Sequence, residues 1–175
     1  AKIVDDHMNE LNIGEVGRLA VRGPTGCRYL SDDRQKNYVQ NGWNITGDSF
    51  SQDKNGYFFF AARNDDMIIS AGYNIAGPEV EAALLSHKQV LECAVIGAPD
   101  DKRGAIVQAH IVLTKGSKES DKLKIELQDH VKAKIAPFKY PRSIVFTKLL
   151  PKTQTGKIQR FLLRNSKDME TTNAS

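Results

Sequence analysis

Cysteine is scarce, with two in 175 residues, Cys27 and Cys93. They are far apart and form no paired motif, which argues against a zinc site and leaves two free thiols suited to a reducing, cytoplasmic setting. No apolar run is long enough to cross a bilayer. The opening AKIVDDHMNE holds no apolar stretch of the kind a signal peptide needs. The chain begins with Ala rather than Met, so a processed or shortened origin is expected. Internal repeats and low-complexity blocks are missing. Acids are missing too from Val131 to Lys167, where ten Lys or Arg stand without one Asp or Glu. Such a run calls for a polyanion: nucleic acid, an anionic lipid surface or a phosphorylated small molecule. A solvated basic face is the plain alternative.

What is present suits a packed domain. Apolar residues make up 40% and charged residues 26%, with a net charge of +4. The first part reads as β-rich: a strand at 17–23, a short polar helix at 32–42 ending on Gly42, and a hairpin of WNITGDSF and YFFFAAR around Asn55-Gly56. From Asp65 the texture changes. Strands are expected at 66–70, 90–99, 105–114 and 143–149, with DDKRG as a polar turn between the middle two. Helices are expected at 78–87, 120–136 and 156–165. The first has Pro78 and two glutamates early, where both are favoured. The second carries Leu123, Leu127, Val131 and Ile135 on one face and stops at Pro137. The order β-α-β-β-α-β-α implies an α+β fold, helices packed on a small sheet. Residues 1–64 look like the β-rich end of a larger domain, 65–166 like a complete α+β domain, and 167–175 like a polar tail.

Three stretches could carry chemistry. PKTQTGK fails the phosphate-loop pattern at both ends, having Pro151 for the first Gly and Ile158 after the Lys. Lys157 can still reach a phosphate or carboxylate oxygen, although on this stretch alone a surface lysine is the better reading. In Thr46-Gly47-Asp48, set where a strand meets a turn, a carboxylate could accept two vicinal hydroxyls, as on a ribose; ordinary turn chemistry is the alternative. ARNDDMIISAGYNIAGPEVE has Arg63, then two acids, an apolar strand, and Gly72 and Gly77, which suit either a ligand lying along the backbone or loop geometry.

Together, in this order and spacing, TGD, R-x-D-D-x-I-x-x-x-G-Y-x-I-x-x-x-E-V-E and P-K-T-x-T-G-K-I-x-R resemble the C-terminal part of the adenylate-forming acyl-CoA synthetases. The resemblance runs from GEVGRLAVRG to FLLRN. The wording DDMIISAGYNIAGPEVEAALLSH is most similar to the ligases of benzoate and 2-aminobenzoate, with the medium-chain fatty acyl-CoA synthetases close behind.

The resemblance implies an ATP-dependent, AMP-forming acid–CoA ligase, taking a carboxylic acid, ATP with Mg2+, and CoA, with nothing bound covalently and no metal held by residues of this chain. By the match of motifs, Asp48 and Arg63 hold the ribose of AMP and Asp65 is the hinge of a mobile C-terminal domain. Lys157 bridges carboxylate and α-phosphate during adenylation. Gly72 and Tyr73 line the pantetheine tunnel, and Arg103, Tyr140 and Arg142 meet the CoA nucleotide. Asn74 replaces an Arg found in some relatives, which removes one phosphate contact. The basic run then answers to the three phosphate groups of CoA. Lys157 is also implied as a substrate of lysine acetyltransferases and deacetylases. A phosphate loop followed by Pro-Lys, the acyl pocket and most of the adenine site are absent. The chain is thus expected to be a C-terminal piece, inactive without the N-terminal domain.

Two rivals differ in class. A nucleic-acid-binding module has only charge behind it, since Phe138, Tyr140, Phe146 and Phe161 are too few to interleave the basic run with stacking rings and two look core-facing. An interaction protein on the same fold would need none of Asp48, Arg63 and Lys157. A peptide-synthetase adenylation unit, from the same superfamily, would be followed by a carrier domain, whereas this chain ends at Ser175.

Overall fold

A computed structural model describes residues 1–24 and 33–164; Cys27 and the polar tail lie outside them. The chain divides into two compact units, Ala1–Met67 and Ile68–Ser175. Among the described residues, no helix is long and apolar enough to cross a membrane.

The first unit is a five-stranded sheet. Strands β1 (Lys2–Val4), β2 (Gly17–Val21) and β4 (Trp43–Gln52) pair in that order, antiparallel where they meet. Both β3 (Val39–Gln40) and β5 (Phe58–Arg63) pair with β4, at different points along it. Val4, Ala20 and Ile45 form a small core with Met8 and Trp43 against it.

Two expectations change here. The helix expected at 32–42 is only α1 (Arg34–Tyr38), and the chain then turns into β3. Asn41 and Gly42 both have positive φ, 51° and 75°, and Gln40 pairs with Trp43. Asn-Gly therefore makes the two-residue turn of a hairpin, not a helix cap. The hairpin of β4 and β5 forms as expected, but its loop runs over 53–57. Asp53 Oδ1 accepts the backbone N–H groups of Asn55 and Tyr57, each at 2.9 Å. An Asx-type loop thus stands in place of a tight Asn-Gly turn.

The second unit begins with a two-stranded sheet, β6 (Met67–Ser70) and β7 (Tyr73–Ala76). Helix α2 (Gly77–Leu85) follows, then the long antiparallel pair β8 (Val90–Asp100) and β9 (Gly104–Leu113). Helix α3 (Asp121–Lys134) crosses over to β10 (Ser143–Phe146), which lies parallel to β9. Parallel neighbours need such a crossover. Ser120 caps α3 by accepting the Leu123 N–H at 3.1 Å. Leu123, Leu127 and Val131 are buried on its expected face, while Ile135 is already the extended residue after the last turn.

Strand alternation gives the three-stranded sheet two covered faces. Val95, Val107, Ala109 and Ile111 pack with α2 and α3. Ala94 and Val112 point the other way, onto Leu150, Ile158 and Leu163 of the C-terminal segment. That segment corrects the start of the helix expected at 156–165: residues 152–158 make a small hairpin, and among the described residues helix runs over 160–164.

His110 lies in β9, in register with Ala94 and Val145, and its Nε2 is buried without a hydrogen-bond partner among the described residues. Burial holds its imidazole below the ordinary value, and His130 is lowered too, first by burial and then by the charge of His87. A lowered histidine is neutral in the fold and takes up a proton on unfolding. Its stabilising effect is complete above the unfolded pKa of about 6.5 and is lost as pH falls toward the folded value. Thermal unfolding followed from pH 7.5 to 5.5 should show a falling Tm, and His110→Leu should flatten that slope.

Candidate functional site

In the first unit, β4 breaks register with β2 between the pairs Arg18–Ser49 and Ala20–Ile45. Three residues of β4, Thr46, Gly47 and Asp48, oppose the single Leu19. Thr46 Oγ1 spans the irregularity by donating to the Leu19 carbonyl at 3.3 Å, and it receives the Asp48 N–H at 3.4 Å. Asp48 therefore sits at a bulge inside a long strand, not at the strand end that the sequence suggested. Bulges re-aim side chains.

Asp48 is in register with Arg63 on β5, and Arg63 Nε approaches Asp48 Oδ1 to 3.6 Å. Their side chains are 36% and 65% exposed, so the pair adds little stability. It offers a carboxylate and a guanidinium side by side, an acceptor and a donor set for vicinal hydroxyls. Just beyond, Asn64–Asp66 form a 3-10 turn. The buried Ser49 hydroxyl donates to Asn64 Oδ1 at 2.7 Å and fixes the exit from β5. Asp65 sits exposed within that turn.

In the second unit, Ala71 and Gly72 connect β6 to β7 with φ of 50° and 83°. Two positive φ values in a row define a type I′ turn, and for Ala71 that conformation costs roughly 1–2 kcal/mol. The Ala71 N–H donates to the Arg103 carbonyl at 3.0 Å. Gly72 and Arg103 are thereby brought to one place. Tyr73 is exposed and stacks on Phe138, ring centroids 4.5 Å apart. Phe138 belongs to the 3-10 turn Pro137–Lys139, which leads into Tyr140. Arg142 Nη1 donates to the Tyr140 hydroxyl at 2.7 Å, and both Arg142 and Lys132 lie over the Tyr140 ring. Phe146 and Tyr140 are the two aromatics of the basic run that pack against the core; Phe138 and Phe161 are exposed.

Lys157 lies on the hairpin of the C-terminal segment. Lys152 bridges to Ile158, the Thr153 N–H donates to the Lys157 carbonyl at 2.8 Å, and the Lys157 N–H donates to Thr153 Oγ1 at 3.1 Å. Lys157 is exposed, and its ammonium makes no ion pair among the described residues. Several other cations of the basic run are neutralised from outside it, while Lys134 and Lys148, also exposed, make no ion pair among the described residues. Lys132 pairs with Asp129, Lys139 with Glu79, and Lys152 with Glu92.

Arg160 is the fourth. Its Nη2 reaches both carboxylate oxygens of Glu81, at 2.9 and 2.8 Å, and its Nε reaches Oε1 at 3.2 Å. Glu81 Oε1 also accepts the Val95 N–H at 2.8 Å. Neither early glutamate of α2 is therefore a solvated end-of-helix charge. Glu79 pairs with Lys139, while Glu81 lies on the buried face with Val80 and Leu84. The available signal was an acid in phase with apolar helix positions, which demands a cation. Nearby Cys93 donates to the Glu81 carbonyl oxygen at 3.5 Å. Burial, then the Glu81 charge, push its thiol up to about 12, so it packs rather than reacts. Among the described residues no cluster could hold a metal ion.

Residues 79–157 match the AMP-binding enzyme C-terminal domain. The chain is 47% identical over 159 residues to an uncharacterized acyl–CoA ligase, YtcI, of Bacillus subtilis (strain 168), covering 89% of this chain and 30% of the relative. It is 47% identical over 173 residues to human mitochondrial acyl-coenzyme A synthetase ACSM5, covering 94% of this chain and 30% of the relative. The crystal structure of the anthranilate CoA ligase AuaEII in complex with anthranoyl-AMP superposes with a TM-score of 0.78 at 40% identity, over 94% of this chain and 32% of that one. The chain thus spans 30% of the length of these curated relatives.

Removing one partner from a buried ion pair strands the other charge and typically costs about 3–5 kcal/mol, against under about 1 kcal/mol for a more exposed pair. Glu81→Ala should therefore lower the unfolding free energy several times more than Glu79→Ala, as read in urea titrations of both variants.

Proposed function

We propose, for a chain that belongs to the AMP-binding enzymes and carries their C-terminal domain, that the full-length protein is an ATP-dependent, AMP-forming acid–CoA ligase. A carboxylate oxygen attacks the α-phosphorus of Mg2+-ATP, and pyrophosphate leaves. The CoA thiolate then attacks the acyl carbon, and AMP leaves. Asp48 and Arg63 take the ribose hydroxyls. Lys157 lies between the carboxylate and the α-phosphate, where a cation stabilises charge growing on phosphoryl oxygens. The observation that carries this reading is the Lys157 ammonium itself, exposed and without an acid partner among the described residues, on a hairpin whose base is fixed.

Residues 1–64 would complete the N-terminal domain, which supplies the acyl pocket, and 65–166 would move about Asp65. Tyr57, Phe59 and Phe60, exposed at β5, suit an apolar covering from that missing part. Gly72, Tyr73, Arg103, Tyr140 and Arg142 would receive CoA, with the Arg142 guanidinium beside its phosphates. A lysine acetyltransferase acting on Lys157 would remove its charge and stop adenylation. A cytoplasmic setting is part of this reading, supported by the scarcity of cysteine in the sequence.

The acid is proposed to be aromatic, 2-aminobenzoate or benzoate, supported by the motif wording and by likeness to an anthranilate CoA ligase. A second reading, a medium-chain fatty acid, has the likeness to acyl-coenzyme A synthetase ACSM5 behind it, and with it a mitochondrial address.

The test uses the full-length parent with Mg2+-ATP, CoA and benzoate, 2-aminobenzoate or straight-chain acids. Thioester from the aromatic acids is expected; thioester from straight-chain acids alone selects the second reading, and silence with every acid removes both. Lys157→Ala should slow acyl-AMP formation by about 10²–10³-fold yet still convert supplied acyl-AMP to thioester. Equal loss of both half-reactions would overturn the assigned role of Lys157.

A further inference from the structure

Arg160 follows Lys157 closely in the chain, and its pair with Glu81 is turned largely away from solvent. The side chains of Glu81 and Arg160 are 12% and 20% exposed. The guanidinium uses two nitrogens on one carboxylate, a fork geometry that fixes direction as well as distance. The carboxylate is held in turn by the Val95 N–H of β8, the edge strand of its sheet. Between Lys157 and Arg160 stand only Ile158 and Gln159. Ile158 packs on the cluster of Ala94, Val112 and Leu150, and the Gln159 N–H donates to the Pro151 carbonyl at 2.9 Å. Three consecutive residues after Lys157 are thus each fixed by a different force: apolar packing, a main-chain bond and a buried ion pair.

From this we infer that Glu81 and Arg160 are positioning residues for Lys157, setting where its ammonium stands relative to the reacting phosphate. The inference rests on the adenylating role proposed for Lys157. A long, flexible lysine is a weak electrostatic catalyst unless its backbone is placed beforehand. An offset of about 1 Å can cost on the order of 10²-fold in rate. The ion pair is suited to that task because it is directional, while the apolar contacts of Ile158 alone would let the hairpin slide. Buried ion pairs add little net stability over apolar substitutes, so a registry role gives this one a physical reason to be ionic.

The experiment measures both half-reactions in the full-length parent for Arg160→Lys, Arg160→Ala, the double variant Glu81→Gln/Arg160→Gln, and Lys157→Ala as reference. The double variant leaves no unpaired buried charge and keeps an acceptor for Val95, so it serves if Arg160→Ala does not fold. Acyl-AMP formation should fall by about 10–10²-fold in Arg160→Ala and in the double variant, with partial rescue in Arg160→Lys, which keeps the charge but loses the fork. Thioester formation from supplied acyl-AMP should stay near that of the parent. A structural role alone would lower both half-reactions together or neither, and either result overturns the inference. A selective loss in Lys157→Ala without one in the folded Arg160 variants refutes the inference alone. No selective loss in Lys157→Ala refutes the role of Lys157, and the inference with it.

Discussion

One carboxylate determines how the second unit closes. Glu81 comes from α2, the Val95 N–H from the free edge of β8, and Arg160 from the C-terminal segment. Each group would be costly to bury alone: an acid on an apolar helix face, an unpaired edge N–H and a guanidinium. Brought together they satisfy one another, and helix, edge strand and C-terminal hairpin can then share one interior. Glu81 and Arg160 are 79 positions apart, and the chain between them folds with that meeting as a condition.

The same contact divides the basic run into two kinds of cation. Lys132, Lys139, Lys152 and Arg160 have acids brought to them from Asp129, Glu79, Glu92 and Glu81. Their charge is part of the architecture. Lys157 has no such partner among the described residues, and Arg142 faces a phenol rather than a carboxylate. A charge count along the sequence merges the two kinds. The fold separates them by supplying acids, one from the same helix and three from elements remote in sequence, and this weakens the case for a general polyanion surface.

Legibility followed the range of the interactions. Helix α3 was readable because its stripe and Pro137 are local, and β8 and β9 because β-branched runs flank a polar turn. The hairpin of β4 and β5 was readable, but its loop was not, since Asp53 organises it from two residues before Asn55-Gly56. The reverse error fell on Asn41-Gly42, where a hairpin turn had the look of a helix end. The bulge at Thr46–Asp48 depends on register with β2, a long-range property, so a sequence places the TGD triplet but not its setting. Asp48 and Arg63 became neighbours only through strand pairing. Glu81 was visible as an acid in phase with Val80 and Leu84, yet its partner lies too far along the chain to be identified by pattern.

The two groups of candidate residues in the second unit are separated by its own sheet. Tyr140 packs with the α2–α3 side, whereas Ile158, next to Lys157, packs with Ala94 and Val112 on the opposite side. Adjacent residues of the same strands, Ala94 and Val95 or Ile111 and Val112, face the two clusters, so the separation is one sheet thick and is fixed by the strand pleat. The sheet is held on one side by helices and on the other by the Glu81-tethered hairpin. For an enzyme of the proposed kind, such a body has a mechanical consequence. Lys157 and the Tyr140–Arg142 cluster cannot serve one acyl group from the same orientation, because bending the sheet enough to do so would break both cores. The low-cost route is to turn the unit as a whole, with the change in backbone angles taken up outside it.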